Sequence, residues 1–306
     1  MRVFVTGASG HIGSAVVPEL RKAGHEVLGL ARSDTSAAAI EAMGAQAQRG
    51  DTADLNVLRK AATESDAVIH LAFDHAAIPA GKFAEAAAAD LDAVRTMCDA
   101  LEGTGKAFIG IGMPRPTVAA ADPEGGTPEG SAPTYANPRA IVWQTISEYT
   151  DRGVRTVLVA VPNVTHSDLD QHGFAPTLIR IARSSGISAY VGEGTNTWSA
   201  GHTRDVARLF ALAVEKAPAG SHLIAAGEPP VPVRTIAESI ARHLGIEPVS
   251  LTPDQAAEHF KAFPFISMST TIPANDTRTL LGWEPTHPTL LEDLDAGFYF
   301  TAADNG

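Results

Sequence analysis

The sequence predicts an α/β protein: a doubly wound parallel sheet followed by a smaller C-terminal lobe. Three observations carry that expectation. Short runs rich in β-branched residues recur through the first half, stretches with helical spacing separate them, and a glycine-rich turn lies between the first run and the first helix. The runs fall at residues 3–6, 26–31, 46–50, 67–72, 107–111 and 155–161, and the helical stretches at 11–22, 36–43, 55–62 and 83–101. Those stretches are long enough to return the chain for parallel pairing. Beyond Pro162 the rhythm loosens, with helices expected at 175–183, 203–216, 233–244 and 253–260 and strands near 189–192 and 222–225. The expected division is therefore a sheet domain over 1–165 and a lobe over 166–306, interleaved with the last sheet strands.

Composition narrows the range of partners. The 306 residues are 44% apolar and 19% charged, enough to bury a large core. A formal charge of -12 argues against a broad surface for nucleic acid or anionic membrane, because phosphate binding needs clustered Lys and Arg. A small molecule is the expected partner, and homo-oligomer formation is left open. One cysteine, Cys98, rules out an intrachain disulfide and fits a reducing compartment. Met1 leads directly into a strand-like run, and no stretch of about 18 apolar residues occurs, so a cytoplasmic location is expected.

The strongest motif is Thr6-Gly7-Ala8-Ser9-Gly10-His11-Ile12-Gly13, which closes the first strand and opens the first helix. Gly7 permits the tight turn, Gly10 lets backbone approach a pyrophosphate, and Gly13 allows close packing of the helix. The anion would then sit at a helix N-terminus, where open N–H groups and the dipole favour it. Thr6, Gly7, Ser9, Gly10, His11, Ile12 and Gly13 are the first candidate cofactor-binding residues.

The spacing Thr-Gly-x-x-Gly-x-x-Gly resembles the short-chain dehydrogenase/reductase superfamily, in its extended, NAD-dependent epimerase/dehydratase-like branch. The likeness runs along essentially the whole chain, through Gly50-Asp51, His70-Leu71-Ala72, Val161-Pro162-Asn163 and the segment from Gly201 to Ala207. It implies a Rossmann fold. It also implies that Asp51, with Thr52, contacts the adenine, that Leu71 and Ala72 line the nicotinamide ribose, and that Pro162 and Asn163 border the cofactor. Taken alone, the same residues also read as a turn aspartate and an ordinary buried strand end.

Cofactor choice should be decided at the end of the second strand, where an Asp or Glu would grip a ribose 2′-hydroxyl. The chain instead has Arg32 and then Ser33. A guanidinium can pair with a 2′-phosphate through charge-assisted hydrogen bonds, with Ser33 as an added donor, so NADP(H) is favoured over NAD(H). Asp34 reaching back to a ribose diol, or a merely solvated Arg32, are the alternatives.

The catalytic region departs from the family pattern of Tyr-x-x-x-Lys with a nearby Ser or Thr. In that pattern the tyrosine protonates a carbonyl oxygen, the lysine holds the ribose and lowers the tyrosine pKa, and the hydroxyl polarises the substrate. Only Tyr135-Ala136-Asn137-Pro138-Arg139 has the spacing, with Arg139 in place of lysine. Asn137-Pro138 reads as N-cap and first helical residue, which would leave Tyr135 off the helical face that carries Arg139. Tyr135 is thus either the proton donor or a loop tyrosine covering the cofactor. After the fifth strand the chain reads Gly110-Ile111-Gly112-Met113-Pro114, without the expected hydroxyl. Its two glycines suggest close backbone approach to the cofactor. Thr117 or Thr134 could supply an oxygen, and the proline-rich stretch 113–134 reads as a functional loop.

Candidate substrate-facing residues are Phe73, His75, Met113, His166, Phe174 and His202, the histidines being expected in loops around the pocket. His70 reads as a satisfied core residue. No pair has convincing metal-ligand spacing, so no metal is expected. The preferred activity is NADPH-dependent reduction of a small, fairly apolar carbonyl compound. The alternatives are a redox-neutral epimerase, dehydratase or isomerase with tightly held NAD(P), and a non-catalytic NADP(H)-binding sensor.

Overall fold

A computed structural model describes residues 1–78, 80–112, 137–261 and 263–301. The first half runs β1 (Arg2–Thr6), α1 (Gly13–Lys22), β2 (Glu26–Ala31), α2 (Asp34–Ala42), β3 (Gln46–Arg49), α3 (Leu55–Thr63), β4 (Ala67–His70), α4 (Phe83–Leu101), β5 (Ala107–Gly112), α5 (Ala140–Glu148) and β6 (Arg155–Ala160). The second half runs β7 (Val164–His166), α6 (Phe174–Ser185), β8 (Ile187–Val191), β9 (Thr197–Trp198), β10 (Ala200–His202), α7 (Thr203–Lys216) and β11 (Ser221–Ile224). It ends with β12 (Val231–Pro232), α8 (Val233–Leu244), β13 (Glu247–Leu251), α9 (Pro253–His259), α10 (Asn275–Leu281), α11 (Leu290–Asp295) and α12 (Phe298–Thr301). Among the described residues no helix is long and apolar enough to cross a membrane. The elements form two compact units, one of residues 1–9, 24–160 and 217–223, the other of 10–23, 161–216 and 224–306.

The first unit is a seven-stranded sheet of order β11-β6-β5-β4-β1-β2-β3, with β1 to β6 mutually parallel. It is the doubly wound Rossmann architecture that the strand-helix rhythm predicts. Val3, Phe4 and Val5 in β1, and Ala107, Phe108 and Ile109 in β5, are fully buried, as strands covered on both faces must be. Leu58 of α3, Met97, Cys98 and Leu101 of α4 and Ile146 of α5 pack with Phe108 in one apolar cluster. Burial pushes the Cys98 thiol well above its usual range, so it stays protonated and inert.

Several boundaries differ from expectation for local reasons. Helix α1 begins at Gly13 rather than at residue 11, although the Ser14 N–H already bonds the Gly10 carbonyl. Helix α2 begins at Asp34, earlier than expected, because Ser33 caps it in a reciprocal box with Ser36. Asn137 and Pro138 do not start α5. The Asn137 side-chain oxygen accepts the Arg139 N–H at 2.9 Å, closing a turn, and the helix begins at Ala140.

The second unit holds an apolar cluster of α6, α8, α11 and the short strands, including the fully buried Trp198. Phe174, Trp198, Phe263 and Phe265 interlock there, with ring centroids 4.7 to 6.0 Å apart. Its sheets are small pairs: β7 with β10, β9 with β12, and β8 with β13. His166 and His202 are therefore not loop residues, since they face each other in the β7–β10 register and both are buried.

His166 Nδ1 lies 2.6 Å from Asp293 and Nε2 lies 2.9 Å from Glu228. Carboxylates only accept, so both ring nitrogens carry protons and the imidazole is a buried cation. Burial opposes that charge, but the two carboxylates outweigh it and raise the pKa. A raised folded value contributes stability that is complete below the unfolded pKa of about 6.5 and fades as pH climbs through the folded value. His166→Gln should therefore cost about 3 kcal/mol in urea unfolding at pH 6 and less at high pH. A loss that does not change with pH would contradict the assignment.

Candidate functional site

The strand order of the first unit reverses between β1 and β4, where Thr6 stands opposite His70. Such a switch point opens a crevice at the carboxyl ends of the strands. Gly7 follows β1 at φ +68°, and a Cβ there would lie 2.8 Å from the Ala72 amide nitrogen and 2.9 Å from the Leu71 carbonyl carbon. The turn is thus passable only to glycine, and it brings backbone from two strand ends together without side chains between them. This bare cradle fits a dinucleotide.

Beyond β2, Arg32 is exposed, and among the described residues no carboxylate pairs with it. The Ser33 hydroxyl is committed to the α2 cap, where it accepts the Ser36 N–H and donates to the Ser36 hydroxyl. Asp34 turns to Arg49, 3.2 Å away. Arg49 lies opposite Ala31 in the β2–β3 register, so a second guanidinium stands beside the strand end that carries Arg32. Sequence reasoning missed it, because only the register makes the two residues neighbours. Asp51 caps its own turn, accepting the Ala53 N–H at 3.1 Å and the Thr52 hydroxyl at 3.4 Å, which leaves an exposed acceptor at the mouth of β3.

At the end of β4 the Thr6 hydroxyl oxygen accepts the Ala72 N–H at 3.2 Å and lies 2.7 Å from His70 Nδ1. His70 Nε2 donates to Asp90 at 2.9 Å. The other Asp90 oxygen accepts Arg139 Nε at 3.1 Å and pairs with Nη2, 3.0 Å away. Burial pushes the Asp90 carboxyl up, but His70 and Arg139 outweigh it and hold the group below its ordinary value. The Arg139 guanidinium also lies over the Phe73 ring, 4.2 Å from its centroid. His75 meets Phe73 edge-on from an exposed turn. Tyr135 and Met113 lie outside the described residues, as do Thr117 and Thr134. Gly110 and Gly112 each lie against a packed side chain. A Cβ at Gly110 would strike Ile146 at 2.9 Å, and one at Gly112 would strike Leu158 at 2.8 Å.

In the second unit, His11 Nε2 donates to the Thr203 hydroxyl at 3.0 Å, because that hydroxyl spends its own proton on the His166 carbonyl. Burial, then His166 and His172, lower the His11 pKa to about 4, so the ring is neutral at pH 7. No fixed cation stands there. An anion at the start of α1 would be met by the open N–H groups of the first turn near Ile12 and Gly13, with Ser9 and Gly10 exposed beside them. Pro162 ends the sixth strand region, and the Asn163 side-chain oxygen accepts the hydroxyls of Ser199 and Thr270. Phe174 belongs to the aromatic cluster and is half-buried. His202, Asp205 and His287 gather ligand-type atoms. The two rings stack at 13°, however, and Asp205 is already bonded to His287 Nδ1, so both rings cannot aim a lone pair at one ion.

Residues 3–226 match the NAD dependent epimerase/dehydratase family, and the chain belongs to it. An uncharacterized protein of Schizosaccharomyces pombe is 38% identical over 98% of this chain and 100% of its own length. A 4-hydroxy-2-methyl-3-oxo-4-farnesyl-3,4-dihydroquinoline-1-oxide ketoreductase of Stigmatella aurantiaca is 27% identical over 84% of this chain and 78% of its own. Among solved structures, the UDP-glucuronic acid 4-epimerase of Bacillus cereus, in complex with UDP-glucuronic acid and NAD, shares the fold with a TM-score of 0.73. It is 19% identical and covers 97% of this chain and 98% of that one.

Gly7→Ala tests the cradle. It should weaken nicotinamide dinucleotide binding by about tenfold or more, read by fluorescence titration, because the added carbon meets backbone at a positive φ. Unchanged affinity in a folded variant would show that the close approach does not shape the site.

Proposed function

We propose that the protein is an NADPH-dependent reductase of a small, fairly apolar carbonyl compound, in which residues 1–165 bind the dinucleotide and 166–306 recognise the substrate. The observation that carries this reading is the pair of guanidiniums, Arg32 and Arg49, at the ends of β2 and β3, with Asp34 drawn aside by Arg49. A 2′-phosphate is a dianion that two guanidiniums can share through charge-assisted bonds, whereas a ribose diol calls for a carboxylate, and the one at this strand end, Asp34, is paired with Arg49. A dinucleotide selected by its 2′-phosphate suits net reduction better than a cofactor oxidised and restored within each cycle.

The residues fit these roles. The proposal gives the pyrophosphate to Gly7 and the turn to Gly13, the adenine to Asp51 and Thr52, and the nicotinamide half to Leu71, Ala72, Pro162 and Asn163. When bound, the dinucleotide supplies a hydride from nicotinamide C4 to the carbonyl carbon. The carbonyl π pair then moves to oxygen, which takes a proton from the Tyr135 hydroxyl, and water restores that proton. Arg139 supplies the positive charge that favours a tyrosinate and holds the ribose, in the role the family gives to lysine. The proposal assigns substrate contact to Phe73, His75, Met113, Phe174 and His202. The buried, doubly paired His166 is withdrawn from that set, while the half-buried Phe174 and Phe73 suit an apolar ligand.

Two readouts test the proposal. Purified protein should consume NADPH in proportion to alcohol formed from an aryl or alkyl ketone. Arg32→Ala should weaken NADPH by about tenfold or more while changing NADH by less than about threefold. Equal losses for both cofactors would remove the basis for NADPH, and retained cofactor that cycles without net oxidation would favour the redox-neutral alternative.

A further inference from the structure

We propose that Thr6, His70 and Asp90 form a positioning relay that makes arginine, rather than lysine, the residue required at position 139. The inference rests on the reductase reading, in which Arg139 faces the cofactor ribose. Its own ground is a continuous line of pairings in the first unit. The Ala72 N–H donates to Thr6, Thr6 meets His70 Nδ1, His70 Nε2 donates to one Asp90 oxygen, and the other oxygen accepts Arg139 Nε and pairs with Nη2. The side chains of His70 and Asp90 are each 3% exposed and that of Arg139 is 14% exposed.

Asp90 is a buried carboxylate, tolerable only while both its oxygens are bonded. Because it only accepts, it orients His70 with the proton on Nε2 and orients the guanidinium through Nε and Nη2. The planar group is clamped a second time by the Phe73 ring beneath it. Arg139 Nη1 takes no part in the pair with Asp90, so the fork can hold the carboxylate with one edge and serve the ribose with another. A lysine ammonium is a single point charge on a shorter reach. Beside Asp90 it would be captured by the carboxylate and withdrawn from the ribose. Asp90 and Arg139 are therefore a matched pair, and His70 with Thr6 ties the pair to the same backbone, Leu71-Ala72, that abuts Gly7.

The test uses the full chain and four forms: wild type, Asp90→Asn, Arg139→Lys and the double variant. NADPH affinity is read by nicotinamide fluorescence, turnover by ketone-dependent NADPH oxidation, and folding by Tm. Each single change should weaken NADPH binding and lower turnover by about tenfold to a hundredfold, the scale of a misplacement of about 1 Å. The double variant should recover most of the loss of Arg139→Lys, because the neutral amide that replaces the carboxylate no longer captures the ammonium. A merely structural Asp90 would not produce that rescue. His70→Gln, which removes one support and leaves the ion pair, should shift affinity in the same direction by a smaller factor, and it carries the comparison if Asp90→Asn does not fold. Losses that multiply in the double variant, or singles and His70→Gln that bind NADPH like wild type, overturn the relay. Wild type that binds no NADPH overturns the reductase reading and the relay together, whereas a wild type that binds and turns over beside indifferent variants sinks the relay alone.

Discussion

The constraint on which the site depends is the close approach of two strand ends at the reversal of the sheet. Gly7 lies against the backbone of Leu71 and Ala72 with no room for a single added carbon. With the backbones so close, Thr6 reaches the Ala72 N–H and His70, and through His70 the buried Asp90. Asp90 in turn requires Arg139, because a buried carboxylate left with one partner is far costlier than one never buried. One steric fact thus places a turn, a strand end and a cation in a single arrangement.

Charge is distributed to the same end. The chain is acidic, at -12, yet the positions that the proposal gives to phosphate and ribose carry guanidiniums: Arg32 just after β2, Arg49 at the end of β3, and Arg139 over Phe73. At the glycine turn the opposite choice is made. His11 is kept neutral by burial, leaving the anion to backbone N–H groups and the helix end. Those groups need no counterion and cannot be titrated away. The buried His166 cation is the structural counterpart, held between the carboxylates of Asp293 and Glu228.

Features encoded locally were legible in the sequence. The glycine turn, the six strand runs and α4, α7 and α8 follow from short-range pattern, and their bounds depart from expectation by only a few residues. The start of α2 is moved by the Ser33 cap, which overrides periodicity, while Asn137, read as an N-cap, instead closes a turn ahead of α5. What was not legible depends on residues far apart in the chain. His166 and His202 read as loop histidines because β7 and β10 are three residues each and gain meaning only from their pairing. The polar strand β13 was invisible without β8, and Arg49 became relevant only through the β2–β3 register. Asp90 lies on a long alanine-rich helix where nothing nearby marks it, and only the fold brings it to His70 and Arg139. At Gly110 and Gly112 only the fold shows that an added side chain would meet Ile146 and Leu158.

The most direct test of the account is an equilibrium titration of the wild-type protein with NADPH and, in parallel, with NADH at one ionic strength. The arrangement of Arg32 and Arg49 predicts NADPH tighter by about tenfold or more, with the gap narrowing as salt rises. Equal affinities, or a preference for NADH, would contradict the assignment of those guanidiniums to a 2′-phosphate and with it the reductase reading.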